Sequence, residues 1–402
     1  MDSIAETISQ SAREIFDETV SLRRHFHMYP ELSFNEYDTS QFICDYLDKH
    51  KIDYIRNLAG TGIIAWIKGA KENGKVIALR TELDALPVKE ATGLEYASKK
   101  SGIMHACGHD AHMAMLISSI IIIKGIRKHF GGKIAFIFQP GEELAPGGAR
   151  LIMDTGAFKD LNPDLVIAQH VLPEFESGMT GFRAGKYMAS SDEIHIRIYG
   201  RGGHAALADQ YTDQVLIGSE LVVRLKEAAA NYNTKEPLVL GIGHFTAQGA
   251  ANVVPEEVNI KGTIRTFDEK IRKDIKELVS LICKQTEEKY RVNIELKIPD
   301  GYPVLVNNDE YINMSVNLAK EINGENMVKE IGPRMSSEDF AFYAQKYPVV
   351  FYRLGISSKS EGKNGLHTPV FTLDEKTMIT GVRTLSYLGV KFTGSREQGT
   401  FE

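Results

Sequence analysis

Apolar residues in the first half of the chain alternate between helical spacing and short, nearly uninterrupted runs. Helical spacing covers residues 3–29, which lead to Pro30, and residues 37–50, so we predict helices there. Runs rich in β-branched residues at 62–68 and 75–80, separated by the turn-like sequence KENG, predict paired or neighbouring strands. Further strands are predicted at KIAFIFQ, DLVIAQ and VVFYRLG, and further helices at 112–130 and 149–155. This alternation is typical of an α/β domain.

The pattern changes near Lys186. From there the chain reads as strand, helix, strand, strand, helix and strand, which is the β-α-β-β-α-β order of a ferredoxin-like α+β layer. The α/β pattern resumes after residue 300. We therefore predict a first domain formed by residues 1–186 and 301–402, with a second domain inserted at 187–300.

Composition and charge narrow the class of protein. The 402 residues are 43% hydrophobic and 25% charged, as in ordinary globular chains, and 402 residues are more than a single core normally holds. A formal net charge of −6 without a basic block argues against nucleic acid as a partner. No apolar run approaches the ~20 residues that span a bilayer, so we expect no membrane association. An N-terminus unlike a signal peptide and only three cysteines predict a cytoplasmic protein without disulfides.

The densest chemistry lies in MHACGHDAHMAML, residues 104–116. It contains three histidines, a cysteine and an aspartate within eight residues, and these are donors that bind zinc and similar divalent metals. Cys107 and His109 are separated by one glycine, which permits a sharp local turn that turns both side chains to one side. A single histidine there would usually be a packing residue, but the combination favours a metal site.

Other candidate donors lie near the ends of predicted strands. Asp84 follows the strand at 75–80, and, as a loop acid, it would ordinarily be only solvated. His170 ends the strand DLVIAQ, and His367 lies in the loop after VVFYRLG. Because ligand crevices in open α/β sheets form at the carboxyl ends of strands, these residues are expected to converge.

Glu142 and Glu143 follow the strand KIAFIFQ and Pro140. Adjacent side chains on extended backbone point in opposite directions, so one carboxylate can bind a metal while the other faces a metal-bound water. The second carboxylate could take a proton from that water and later give it to a leaving amine.

Three residues of the inserted domain are further candidates. His204 lies in the glycine-rich sequence GRGGHAAL and Asn252 in the turn GAANVVP, and both could donate hydrogen bonds to an oxyanion, although both residue types also occur in turns without such a role. Arg265 in GTIRTF is either a charge on a strand face or a clamp for a substrate carboxylate.

Together these stretches resemble a known family. The ordered motifs ALRTELDALPV, MHACGHDAH, FQPGEELAPGGA, QHVLPE, GRGGHAA, NVVP, GTIRTF, SSEDF and LHTPVFTLDE, preceded by RRHFHMYPELSFNE, are similar to those of the metal-dependent aminoacylase and carboxypeptidase family. The similarity is greatest to its amidohydrolase branch, which contains hippurate hydrolases, N-acyl-amino-acid deacylases and auxin-conjugate hydrolases. It spans nearly the whole chain.

The resemblance implies a fold, a ligand set and an assembly. The implied fold is a zinc-exopeptidase-like catalytic domain, with helices on both faces of a mixed sheet, and an inserted ferredoxin-like lid that commonly forms a homodimer. Two divalent metal ions, manganese, zinc, nickel or cobalt, are implied per subunit. The matching ligand positions are Cys107, His109, Glu143, His170 and His367.

The resemblance also implies roles around the metals. Glu142 matches the general base, and Asp84 an acidic position behind the metal site that orients a histidine ligand. His204 and Asn252 match lid positions that reach an active site, in the same or a partner subunit.

The chain departs from the branch in two motifs. It has ELDALP where DMDALP is usual, so Glu82 is one methylene longer. It also has Ala208 where a proline usually follows GGHAAM, which bears on the rigidity of the loop that carries His204.

The resulting prediction is a metal-dependent hydrolase of N-acyl amino acids, in which Glu142 assists the attack of a metal-bound water. A dipeptidase or carboxypeptidase would share this chemistry and differ only in its pocket. A zinc-stabilised structural protein would have no need of a spare glutamate, because structural sites fill all four positions. A non-catalytic metal-dependent binding protein is the remaining alternative.

Overall fold

The computed structural model describes residues 3–359 and 361–394. The chain divides into two compact units, each formed from separate parts of the sequence. Unit 1 contains residues 1–185, 306–332 and 342–402, and unit 2 contains residues 186–305 and 333–341. Segment 333–341 thus belongs to the same unit as the insert, although it follows the insert by almost thirty residues.

Unit 1 is built on an eight-stranded mixed sheet. In spatial order its strands are β1 (Asp53–Leu58), β2 (Gly62–Lys68), β4 (Gly131–Gln139), β3 (Lys71–Glu82), β5 (Leu165–Glu176), β16 (Val349–Ser357), β6 (Thr180–Phe182) and β15 (Val328–Glu330). The four central strands, β4, β3, β5 and β16, are parallel to one another, so their carboxyl ends lie at one edge. Strands β4 and β16 are almost entirely buried, and so are the second half of β3 and the first eight residues of β5, as expected of parallel strands covered by helices.

Helices flank this sheet. They are α1 (Ser3–Glu14), α2 (Phe16–Met28), α3 (Tyr37–Lys49), α4 (His109–Gly125), α5 (Gly148–Asp154), α6 (Gly156–Leu161), α9 (Asp309–Asn323), α10 (Ala341–Ala344) and α11 (Thr377–Phe392). Helix α4 is buried over nearly its whole circumference and packs against α2, α11 and β3. An all-round apolar helix is stable only inside a core, and this one starts at the metal-site motif. The candidate site therefore lies at the start of a helix that is buried over nearly its whole length.

Several predicted elements are confirmed and others need correction. Strand β2 and helix α3 lie where the sequence places them, but the predicted helix at 3–29 is interrupted at Ile15. Strands β2 and β3 are not neighbours, because β4 lies between them, and KENG forms the start of β3 rather than a turn. Strand β1 has no counterpart among the predictions, since it is a largely exposed edge strand whose six residues lack a clear apolar pattern.

Unit 2 contains a four-stranded antiparallel sheet. In spatial order the strands are β10 (Leu238–Ala247), β12 (Glu257–Thr266), β8 (Asp192–Tyr199) and β13 (Asn293–Lys297). Helices α7 (Gln214–Ala230) and α8 (Glu269–Tyr290) pack on it around a separate apolar core. The short strands β9 (Gly203–His204) and β11 (Val253–Val254) pair with each other, and the chain passes between the units within β7 (Gly185–Met188) and β14 (Leu305–Asn307).

Within the described part of the chain, no helix has the length and apolar character needed to cross a membrane.

Candidate metal centre

The metal-site motif turns sharply at Gly108, between Cys107 and His109. Gly108 has φ +86, and a Cβ added there would lie 2.6 Å from Val171 Cγ2, so both the backbone conformation and the space require glycine. Gly108 is also the residue before helix α4. This turn sets Cys107 and His109 toward the same place, as the sequence predicted.

Two groups of three donor side chains share Cys107. Cys107, His109 and His170 form one group, and Cys107, Glu143 and His367 form the other, with donor atoms in each group within 4.8 Å of one another. The Cys107 Sγ atom lies 3.4 Å from Nε2 of His170 and 3.4 Å from Nε2 of His367. A cysteine shared by two three-donor groups could hold two adjacent metal ions.

The histidines of the first group present the same ring nitrogen to this place. Nδ1 of His109 donates to the Asp84 main-chain oxygen at 2.8 Å, and Nδ1 of His170 donates to the Val171 main-chain oxygen at 2.8 Å. These hydrogen bonds hold the proton on Nδ1 and leave the Nε2 lone pair for a metal. Asp84 Oδ1 lies 3.4 Å from His109 Nδ1 and adds a negative charge behind that ring.

The second group is completed from a loop. His367 has φ +62, and its N–H donates to the main-chain oxygen of Ala106 at 2.8 Å, which ties the loop to the residue before Cys107. Its Nε2 lies 3.3 Å from Glu143 Oε1. The His367 side chain is 52% exposed, whereas the other donors are buried or nearly so. The second group is therefore the one open to solvent in unit 1.

The residues fit a metal on two grounds. Nε2 of His109 and Oε1 of Glu143 are buried 4.0 Å apart, and neither atom has a neighbour with hydrogen-bond geometry among the described residues, a costly state unless a cation lies between them. Burial, with the charges of Glu143 and Glu142, raises the pKa of the Cys107 thiol well above its usual value. A thiolate needs a neighbouring cation in such surroundings, and a divalent metal supplies it.

The electrostatics around His109 agree with this. Burial disfavours the charged ring, but the Asp84 hydrogen bond and the carboxylates of Glu82 and Glu143 raise its pKa to about 10. The neighbouring carboxylates thus favour a positive charge at this position, and a metal ion would supply one.

Glu142 and Glu143 lie on a bend and not on the extended backbone that was predicted from the sequence. Gly141 before them has φ +59, and both carboxylates reach toward His109, with donor atoms of the three residues within 4.8 Å of one another. Glu142 is 7% exposed. The two side chains therefore approach the same centre instead of opposite sides.

His170 also differs from its predicted place. It lies within β5, which continues to Glu176, and not beyond the strand's end. Its side chain still reaches Cys107, because the neighbouring parallel strand β3 ends at Glu82, two residues past its Arg80–Ala168 pair with β5 and so at the level of His170.

The sequence did not predict the role of His112, which makes two hydrogen bonds that support the candidate ligands. His112 lies one helical turn after His109, and its Nδ1 is 2.9 Å from Glu82 Oε2 while its Nε2 accepts the Val171 N–H at 3.0 Å. These two hydrogen bonds of His112 thereby hold the peptide group that follows His170. The i, i+3 spacing of His109 and His112 was a usable signal, because it sets both rings on one helix face.

A second buried network joins the motif to helix α2. Arg23 Nε donates to Asp110 Oδ2 at 3.1 Å, and His27 Nδ1 lies 2.8 Å from the same oxygen. All three side chains are fully buried. Arg23 and Asp110 are 87 positions apart, so local sequence patterns could not predict this contact.

The remaining candidates lie in unit 2. His204 pairs with Val253 between strands β9 and β11, and the Ala205 N–H donates to the Asn252 main-chain oxygen at 3.0 Å, so the His204 and Asn252 turns are adjacent. Both residues are exposed. Arg265 on β12 donates to the Met335 main-chain oxygen at 3.1 Å.

Comparison with known proteins shows which family the chain resembles in sequence. The sequence model of peptidase family M20/M25/M40 matches residues 78–389. An N-acyl-L-amino acid amidohydrolase of Geobacillus stearothermophilus is 38% identical over 306 residues, which are 76% of this chain and 82% of that protein. Thermostable carboxypeptidase 1 of Saccharolobus solfataricus is 32% identical over 397 residues, which are 97% of this chain and 99% of that protein.

A solved structure shows the same fold. The Bacillus subtilis YxeP protein, described as a dinuclear metal binding peptidase from the M20 family, superposes with a TM-score of 0.80 at 30% identity, covering 94% of this chain and 98% of that one. This confirms the predicted α/β fold. The motifs, the family match and the shared fold together show that this chain belongs to peptidase family M20/M25/M40 and is a hydrolase for metal-dependent cleavage of amide bonds.

Proposed function

We propose that the enzyme hydrolyses the amide bond of N-acyl amino acids, with N-acetyl, benzoyl or another aryl-acyl group, and releases a carboxylic acid and a free amino acid. The observation that carries this is the presence of Glu142 beside two complete three-donor groups. Neither of the two groups that share Cys107 includes Glu142, and its buried carboxylate lies within 4.8 Å of donor atoms of His109 and Glu143, close enough to the centre for proton transfer.

We further propose that Cys107, His109, Glu143, His170 and His367 bind two divalent ions, of manganese, zinc, nickel or cobalt. The mixture of thiolate, imidazole and carboxylate suits all four metals. When bound, such ions polarise the amide carbonyl and lower the pKa of a water molecule. A metal titration followed by elemental analysis is expected to give two ions per chain.

In the proposed reaction Glu142 acts twice. It first takes a proton from the water that attacks the acyl carbonyl carbon, and it then gives that proton to the departing amino-acid nitrogen. Nδ1 donation by His109 and His170 fixes the tautomer whose Nε2 lone pair would bind a metal. Asp84 holds the His109 ring in place during both steps.

His204 and Asn252 are proposed to stabilise the oxyanion, and Arg265 to bind the substrate carboxylate. His204 Nδ1 accepts the Ala206 N–H at 3.1 Å, which leaves Nε2 as the ring nitrogen that can donate. An exposed Nε2–H donor is what an oxyanion requires. A loss of kcat in His204→Ala that is larger than the change in KM would support this role.

A carboxypeptidase activity is the second candidate. Its support is the relative named a carboxypeptidase, which matches this chain over nearly its whole length. The same metal chemistry would serve a peptide bond, and only the pocket would differ.

The first experiment measures amine release from N-acetyl, N-benzoyl and indole-acetyl amino acids and from dipeptides. The enzyme is chelated and then given manganese, zinc, nickel or cobalt. Metal-dependent release from acyl amino acids is the expected result. Cleavage of peptides alone would instead establish the carboxypeptidase, and silence with two bound metals would refute both.

Glu142→Gln tests the proton transfer. The amide keeps the size of the side chain but cannot accept a proton, so we expect turnover to fall by about 10²- to 10⁴-fold with metal binding retained. Retention of most of the turnover would refute the role of Glu142. Glu174→Gln, at an exposed position on the same strand as His170, is the control and is expected to keep its activity.

We also propose a homodimer formed through unit 2 and a cytoplasmic location. Helix α7 exposes Leu216 and Val223 by 57% and 53%, and their seven-residue spacing puts both on one face of the helix, where a partner subunit would cover them. All three cysteines are free, as in reducing compartments. Sedimentation of wild type against Leu216→Glu/Val223→Glu tests the dimer, and cell fractionation tests the location.

A further inference from the structure

The short segment Ser33–Glu36, between helices α2 and α3, contacts the bend that carries Glu142. The Glu36 side chain is completely buried. Its Oε1 accepts the N–H of Gly141 at 2.9 Å and the N–H of Phe34 at 2.8 Å. Its Oε2 accepts the Thr61 hydroxyl at 2.7 Å. All these contacts lie within unit 1.

Phe34 covers the same bend. A Cβ added to Gly141 would lie 2.3 Å from the Phe34 ring, so the ring packs directly on the Gly141 backbone. Phe34 itself has φ +64, an unfavourable conformation for a bulky residue, and Glu36 holds its N–H. Strained backbone of this kind persists where surrounding contacts over-determine it.

The other end of the bend is held as well. The Glu143 N–H donates to Asp84 Oδ2 at 2.9 Å, and the Ser33 hydroxyl donates to the same oxygen at 2.6 Å. Glu142 therefore lies between two peptide groups whose N–H donors are both fixed, one by Glu36 and one by Asp84. Ser33 and Glu36 reach these two anchors from a single four-residue segment.

A purely local role for Glu36 does not account for these contacts. Glu36 is the residue before helix α3, but its side chain makes no capping hydrogen bond to that helix. Its carboxylate is directed instead to Gly141, 105 residues away. A buried carboxylate is costly, and one of the three donors that offset this cost, the Gly141 N–H, stays within reach only while the bend keeps its place.

We propose that Glu36 is a positioning residue that fixes the Gly141–Glu143 bend and thereby aligns Glu142 and Glu143 with the metal centre. This rests on the roles proposed above for these two glutamates. Ser33 assists through Asp84.

The test compares Glu36→Ala, Glu36→Gln and Asp164→Ala. Glutamine keeps a carbonyl oxygen for the two N–H donors and an amide that donates to Thr61, whereas alanine keeps none of these contacts. Asp164 is the matched control, because its carboxylate accepts the Val76 N–H at 2.8 Å near the opposite ends of β3 and β5. The readouts are kcat, KM, cobalt affinity, and the visible absorption spectrum of the cobalt-loaded protein.

We expect Glu36→Ala to lower kcat by about 10- to 100-fold with little change in KM, because a catalytic group misplaced by about 1 Å has an effect of that size. Its cobalt spectrum should differ from the wild-type spectrum, since Glu143 moves. Glu36→Gln should restore both, and Asp164→Ala should change neither.

A wild-type kcat and cobalt spectrum in Glu36→Ala would overturn the proposal, as would equal damage from Glu36→Gln or Asp164→Ala. If Glu36→Ala does not fold, Ser33→Ala replaces it, with a smaller decrease in kcat and a shifted spectrum expected and a wild-type result overturning the proposal. If the wild type shows no metal-dependent amine release, the proposed function fails, but the cobalt spectra still decide the positioning role.

Discussion

Single residues set the geometry of the metal centre through their backbone. Gly108 is required by its φ of +86 and by the 2.6 Å approach of Val171 Cγ2 to a Cβ placed there. Gly141 is required in the same way by its φ of +59 and by the Phe34 ring. Each of these glycines directly precedes a proposed functional side chain, so close packing and function are coupled at both positions.

Gly108→Ala is expected to weaken metal binding by more than tenfold and to destabilise unit 1 by more than the ~1–2 kcal/mol that a left-handed backbone alone costs. The reason is that Val171, which follows His170, must move. Isothermal titration with cobalt and urea unfolding measure the two effects.

Gly102→Ala is the control for this substitution. Gly102 has a similar φ of +81, but an added Cβ would meet no atom within 4 Å. It should show the backbone cost without the loss of metal affinity. Equal metal affinities in the two variants would contradict the steric explanation.

At the scale of elements, helix α2 is joined to helix α4 by the buried ion pair of Arg23 and Asp110. Burial would raise the pKa of Asp110, but the charge of Arg23 and the hydrogen bond from His27 lower it below its usual range. A carboxyl with a lowered folded-state pKa stabilises the protein above its unfolded-state pKa and loses this contribution as the pH falls. Asp110 is therefore fully charged at neutral pH, and its ion pair with Arg23 makes its full contribution to stability there.

Arg23→Met should destabilise the metal-free protein by about 3–5 kcal/mol at pH 7, because it leaves Asp110 charged, buried and short of a partner. Adding Asp110→Asn should recover part of that loss. The cost of Arg23→Met should also shrink as the pH is lowered through ~4, where the wild type begins to lose the contribution of the pair. Urea denaturation at several pH values gives these free energies.

Arg24→Met is the matched control. Arg24 is the next residue on α2, its side chain is 45% exposed, and it pairs with Glu375. An exposed pair of this kind is worth ~1 kcal/mol or less. A similar loss from both substitutions would show that the buried charge of Asp110 is not the cause.

For the whole molecule, the single tryptophan offers a way to follow one unit. Trp66 lies on β2 in unit 1, which also contains all five proposed metal ligands. Unfolding monitored by tryptophan fluorescence therefore reports the unit that binds metal.

Saturation with metal at ~100 times its dissociation constant should stabilise this unit by about 2.7 kcal/mol, which raises the fluorescence midpoint. Chelation should reverse the shift. Cys107→Ser, which weakens both donor groups, should reduce it. An unchanged midpoint in the wild type on metal addition would refute metal binding in unit 1.

Local sequence determined much about this protein. The periodicity of apolar residues predicted β2, α3 and α8, because burial on one side imposes that spacing at short range. The donor residue types, together with the ordered motifs, predicted a metal-dependent hydrolase and its family, because ligand chemistry depends on residue type. Strand β1 escaped prediction, since an exposed edge strand needs no apolar pattern.

Only the tertiary structure decided which residues meet. It inserted β4 between β2 and β3, divided the donors into two groups around Cys107, and brought Glu36 to Gly141. These contacts join residues far apart in the chain, and they depend on how whole elements pack rather than on spacing within one of them. The identity of the donors is therefore written in local sequence, whereas their partners and alignment follow from the packing of the sheet and helices.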